Sequence, residues 1–183
     1  MKNLAIARRY AKALLLIGKE DDQVEAYREE LQRFANLLDE QRDLNQAVTN
    51  PLYDAAGRRM LVQTLIEKLG LSKVMASYLM LLFDKGRIGY IGDIDDFYQK
   101  LADELKGIAR ASLVSAATLP SETIEKIRAG LSQKTGKEVI LEVEQDPNLI
   151  GGIVTKIGDL VLDGSIKTQL SNIRESLKRG EGI

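Results

Sequence analysis

The chain of 183 residues contains no cysteine, no histidine and no tryptophan. Without cysteine there is no disulfide, no thiolate nucleophile and no cysteine-based metal site. Without histidine, the commonest general base and the commonest transition-metal ligand are both missing. Catalysis by Asp, Glu, Lys, Ser or Tyr stays chemically open, but most hydrolase and transition-metal designs are excluded. An excess of charge is also lacking: 26 Lys and Arg stand against 27 Asp and Glu, a formal net charge of −1. Phosphate binding normally shows as a basic excess, so no nucleic-acid partner is expected. No apolar run approaches the roughly 20 residues that span a bilayer. The N-terminal apolar run is broken by Lys12 and followed by Glu20-Asp21-Asp22 without a small-residue cleavage site. That is unlike a secretory signal, and a cytosolic setting is expected.

What is present suits a folded protein. A hydrophobic fraction of 44% permits a sizeable core, and the length fits one large domain or two small ones. Residues 4–18 read as a helix with two apolar stripes. One, of Leu4, Ala7, Ala11, Leu14 and Leu15, is enough to face a core. The other is Ile6, Tyr10, Ala13 and Ile17, with Arg8, Arg9 and Lys12 on the remaining arc. An apolar arc of roughly half the circumference is wider than a surface helix needs. It fits either a helix buried on two sides or a groove for a partner helix, with Ala13 permitting close approach.

Asp22 is expected to cap a second helix with Glu25 in a capping box, and Val24, Tyr27, Leu31, Phe34, Ala35 and Leu38 form its stripe. A short third helix ends before Asn50-Pro51. Asp54 opens a fourth, with Leu61, Leu65 and Leu69 four apart and Gly70 as its stop. Ser72 opens a fifth, apolar from Val74 to Phe83 except at Ser77, and Lys85-Gly86-Arg87 turns the chain after it. Ile94, Phe97, Tyr98, Leu101, Leu105 and Ile108 mark a sixth. Six amphipathic helices with short connections argue for an antiparallel bundle.

The composition then changes. Residues 109–116 read as a strand, Pro120-Ser121 starts a helix carrying Ile124, Ile127 and Leu131, and Gly136 stops it. Val139, Leu141 and Val143 alternate with Glu138, Glu142 and Glu144 in a second strand. Ile153–Ile157 and Leu160–Leu162, separated by Gly158-Asp159, have hairpin spacing. Asp163-Gly164 breaks the hairpin, Ser165 is the expected N-cap of a last helix, and Ile166, Leu170, Ile173 and Leu177 recur along it at helical spacing. The first three of these are expected to pack beneath the hairpin. The expected fold is mainly α in two domains: a six-helix bundle over 1–106, then a small α+β domain with a β-hairpin over 107–183.

Gly151-Gly152 with Thr155-Lys156 fails the spacing of a phosphate loop, and the glycines are better explained by close backbone packing. Asp159 and Asp163 sit beside glycines at turns, where Asp bonds locally. Gly151, Gly152, Gly158, Asp159, Asp163, Gly164 and Ser165 are therefore read as structural turn and cap residues. No catalytic, cofactor or metal residue is singled out.

The stretch Leu149–Leu170, with its Leu-Ile-Gly-Gly, Gly-Asp and Asp-Gly-Ser elements, resembles the C-terminal signature of the delta subunits of rotary ATP synthases, counterparts of the mitochondrial oligomycin-sensitivity-conferring protein. Ala7-Arg8-Arg9-Tyr10-Ala11-Lys12-Ala13-Leu14, Asn50-Pro51 and Lys85-Gly86-Arg87 are similar to other patches of that family, so the resemblance reaches over nearly the whole chain. It implies a non-catalytic stator connector without a cofactor, on the cytoplasmic face of a bacterial inner membrane and bound there only through the complex. It implies that the first and fifth helices receive the N-terminal helix of an alpha subunit, and that the second domain grips the C-terminal helices of the b subunits. The expected groove is Ile6, Tyr10, Ala13, Leu14 and Ile17 with Leu79, Leu82 and Phe83. A helix-binding adaptor in another complex, a carboxylate-dependent enzyme and a nucleic-acid-binding α+β module are the alternatives.

Overall fold

The structure, a computed structural model, describes residues 4–147, 149–158 and 160–179. Among them are eight α-helices and one four-stranded sheet, so the fold is mainly helical. The chain divides into two compact units, Met1–Ala102 and Asp103–Ile183. Asp103, in the last turn of a helix, accepts from Arg110 of the first strand at 2.6 Å.

The first unit is built on α1 (Leu4–Glu20), α2 (Val24–Glu40), α3 (Arg42–Thr49), α4 (Ala55–Leu69), α5 (Lys73–Asp84) and α6 (Ile91–Lys106). Side chains from all six meet in one hydrophobic cluster. Ala7, Ala11, Leu14 and Leu15 of α1 face it, as do Tyr27, Leu31, Phe34, Ala35 and Leu38 of α2. Tyr98 of α6 is fully buried and donates its hydroxyl to the Val24 carbonyl at 2.8 Å. Gly18 packs closely beside it. A Cβ there would stand 3.2 Å from both the Tyr98 hydroxyl and the Val24 Cα.

Most helix stops and starts follow the local chemistry. Asp54 accepts from the Gly57 amide at 2.8 Å and Ser72 from the Met75 amide at 3.2 Å, each capping the helix behind it. Gly70 takes a left-handed φ of 62° at the end of α4, where glycine carries no Cβ penalty. Asp22 behaves differently from the expectation: it does not cap α2. It is the one non-glycine with positive φ among the described residues, at 54°. The Gln23 amide reaches the Gly18 carbonyl at 2.8 Å and the Asp22 amide reaches that of Lys19 at 3.4 Å. These are the two bonds of a Schellman ending, so Asp22 stops α1, and α2 begins with no side-chain cap.

The second unit carries β1 (Ile108–Ser115), α7 (Ser121–Thr135), β2 (Glu138–Gln145), β3 (Ile153–Ile157), β4 (Leu160–Asp163) and α8 (Ile166–Arg179). The strand order is β2-β1-β3-β4. β1 and β2 are parallel and joined through α7, whereas β3 pairs antiparallel with β1 and forms the expected hairpin with β4, Ile157 opposite Leu160. Among the described residues one buried cluster holds Ala111, Leu131 and Val139, edged by Ala109, Ile127, Leu141, Ile157 and Leu162, and Leu113 of β1 is also fully buried. Along edge strand β2 the alternation fades, with Val139 buried, Leu141 half-buried and Val143 exposed.

One packing expectation fails. Ile166, Leu170 and Ile173 do not pack beneath the hairpin; they are 41%, 56% and 54% exposed, and Leu177 is 65% exposed. The N-terminus of α8 is held. Its first amide bonds the Gly151 carbonyl at 3.0 Å, and the helix then runs on with its apolar stripe exposed among the described residues.

Candidate partner-binding surfaces

On the first unit, an apolar trough of about 400 Å³ opens between α1 and α5. Ile17 lines it from α1, and Lys73, Val74, Ser77, Tyr78 and Leu81 line it from α5. Val74, Ser77, Tyr78 and Leu81 follow the i, i+3, i+4, i+7 spacing of one helix face. Leu81 is 45% exposed and Ile17 37% exposed, so the trough has apolar edges in contact with water.

These are the two helices of the expected groove, and its residues fall in different places. Ile17 lies in the trough, Ala13 is exposed on the same helix, and Ile6 and Tyr10 are half-buried. Leu14, Leu79 and Leu82 are completely enclosed in the core and offer no surface. Phe83 is half-buried and lies under the Arg58 guanidinium, 5.2 Å from its ring centre, so it serves the contact with α4. Val74 and Leu81 line the trough and are not in the expected set. In a helix apolar almost all round, the informative signal was Ser77, the one polar residue in the run, which marks the outward face.

Tyr78 gives the trough floor a polar atom. Its hydroxyl is buried and has no hydrogen-bond partner among the described residues. Burial, with smaller contributions from Tyr10 and Tyr98, pushes its ionisation above the usual tyrosine range.

A second depression, of about 430 Å³, lies where α2 and α3 meet the start of α6, and Asp39, Asp93, Asp95 and Asp96 are among the residues lining it. Asp95 is buried. Its Oδ2 accepts from Gln99 at 2.8 Å, while Oδ1 has no partner among the described residues. Burial raises its pKa, with Asp96 adding to the rise, and Gln99 and Arg28 opposing it. Among the described residues no group of three or more carboxylates is arranged to hold a metal ion.

On the second unit, the Gly-Gly pair is a packing device. A Cβ on Gly151 would collide with the Ile166 side chain, and one on Gly152, at φ 87°, would run into the backbone of Gly164 and Ser165. Gly158 supplies φ 54° to the hairpin turn; Asp159 lies outside the described residues. Asp163 accepts from the Ser165 amide at 2.8 Å and from the Thr168 hydroxyl at 2.7 Å, and those bonds, the backbone one foremost, hold its pKa below the ordinary carboxylate value. Ser165 Oγ accepts from the Thr168 amide at 3.3 Å, the expected N-cap of α8. Gly164 completes the junction, its amide donating to the Ile153 carbonyl at 2.9 Å.

The remaining feature is the open stripe of α8. Its spacing was visible in the sequence, but the stripe was read as core because nothing in one helix says whether its partner belongs to the same chain. A large uncovered apolar face on a folded protein marks an interaction surface.

A family model described as ATP synthase delta (OSCP) subunit matches residues 6–177. ATP synthase subunit delta of Desulfatibacillum aliphaticivorans is 64% identical over 183 residues, covering 100% of both chains. The protein of the same description from Desulfosudis oleivorans is 59% identical, again over 100% of both. That of Geobacter sp. (strain M21) is 46% identical over 98% of this chain and 100% of its own. A chain in the cryo-EM structure of the Toxoplasma gondii mitochondrial ATP synthase hexamer superposes with a TM-score of 0.69 at 19% identity, covering 93% of this chain and 96% of that one. At that identity the likeness is one of fold.

Proposed function

The chain belongs to the ATP synthase delta (OSCP) family, whose members are non-catalytic subunits of the complex, and from that premise we propose how it joins its neighbours. The first unit, as a six-helix bundle, receives the N-terminal helix of an alpha subunit in the trough between α1 and α5. The second holds the C-terminal helices of the b subunits. The protein then links the catalytic head to the peripheral stalk at the cytoplasmic face of a bacterial membrane. Among the described residues no helix is long and apolar enough to cross a membrane, so its attachment runs through the complex.

The observation that carries the reading is the trough itself. A rotary motor delivers torque only when its stationary parts are held together, and that calls for slow dissociation. Apolar anchors seated in a rigid trough supply it better than exposed charge pairs, which are worth ~0–1 kcal/mol. Each large anchor buried from water contributes ~1.5–3 kcal/mol, so a few suffice after ordering costs.

Calorimetry of an alpha-subunit N-terminal peptide with the full chain tests this. Binding is expected, and Ala13→Glu and Leu81→Glu, both at exposed positions, are expected to weaken it by about tenfold or more with unchanged circular dichroism. Undiminished affinity in both variants would overturn the trough assignment.

A further inference from the structure

The open stripe of α8 has a stricter order than general amphipathicity requires. Ile166, Leu170, Ile173 and Leu177 are the apolar residues of the helix, and their spacing alternates four, three, four. A globular helix normally shows a wider apolar arc, whereas a seam at only these positions is the pattern of a coiled coil. In heptad terms they are d, a, d and a. All four are exposed, so among the described residues the seam stands largely open to solvent.

The flanking positions define what can cover them. On one side of the seam, at e, stand Lys167 and Arg174; on the other, at g, stand Gln169 and Ser176; all are exposed. Flanking charges set partner choice and orientation in coiled coils. A second copy of this chain is a poor match. Packed antiparallel, its Lys167 and Arg174 would meet their own like charges; packed parallel, they would meet neutral Gln169 and Ser176. A helix of 14 residues is also marginal in water by itself.

We propose that α8 is one half of a heterotypic coiled coil, completed by a helix of another protein with an Ile/Leu seam flanked by Asp or Glu. This deepens the stalk-binding reading of the second unit and rests on it. Lys167 and Arg174 select the partner, and the four seam residues hold it. The seam is about two heptads long, so partner and chain order each other.

Two synthetic helical peptides with one identical Ile/Leu seam, carrying Glu or Lys at every e and g position, are titrated into the full chain. The Glu peptide is expected to bind about tenfold more tightly. The Lys167→Glu/Arg174→Glu chain is expected to reverse the preference, and Leu170→Asp to abolish binding of both; these exposed changes leave the circular dichroism unaltered. Equal affinity for the two peptides, or a preference that survives charge reversal, overturns the proposal. So does sedimentation of the wild-type chain as a dimer that Leu170→Asp dissolves. Purified stalk helices that still bind after Leu170→Asp overturn the seam and leave the connector standing. If no stalk helix binds while the Glu peptide does, the connector falls and the seam stands.

Discussion

Asp95 is a carboxylate placed where its charge is poorly received. Burial lifts its pKa above the ordinary 3.8, so folding takes up a proton between that value and the raised one. In that window the folded state holds more protons than the unfolded state, and stability falls as pH rises through it. Above it, the cost of the buried charge persists. Asp95→Asn is expected to melt at a higher temperature than the wild type at neutral pH, with the two curves converging in acid. Thermal melts by circular dichroism across that range check it, and an unchanged melting temperature at neutral pH would deny the cost. The sequence offered no warning of this residue. Asp95 looks like any polar position on α6, and only tertiary packing takes its Oδ1 out of water.

Among the elements, turns were the most legible, because a turn is specified by the residues within it. Asp54, Gly70, Ser72, Gly136, Gly158 and Ser165 do what their chemistry implies. Asp22 does not, since its role was decided by the helix before it and not the one after. Faces of helices were harder to read. The apolar run of α5 could not say which side met the core, and the stripe of α8 could not say whether its cover was internal. The Gly-Gly pair allows a graded test of the β3–α8 junction. Gly152→Ala must bear both a positive φ and a collision with the β4–α8 backbone, and is expected to destabilise the second unit by about 2–4 kcal/mol. Gly158→Ala meets no neighbour within 4 Å, and is expected to lose only about 1–2 kcal/mol for its left-handed conformation. Denaturant titration followed by far-ultraviolet circular dichroism separates them; equal losses would mean that the junction is not tightly packed.

At the scale of the whole molecule, the two units are unequally provided. The first gathers side chains from six helices around one cluster, while among the described residues the second buries Ala111, Leu113, Leu131 and Val139. Buried apolar surface is the dominant favourable term in folding, so the free chain is expected to unfold in two steps. The strand signal is lost first and the main helical signal second, as infrared amide bands recorded during heating would show. A single coincident transition would mean that the units are coupled. Anything that binds only the folded second unit raises the first step by mass action.

The open helix α8 also bears on how the chain fares in the cell before it is assembled. A segment with little buried contact opens often, and proteases cut what opens. Surplus copies without a partner would be trimmed from residue 103 onward while the first unit survived, so supply would be matched to demand by turnover. The same bare stripe that invites a neighbour would set the lifetime of a subunit that fails to find one.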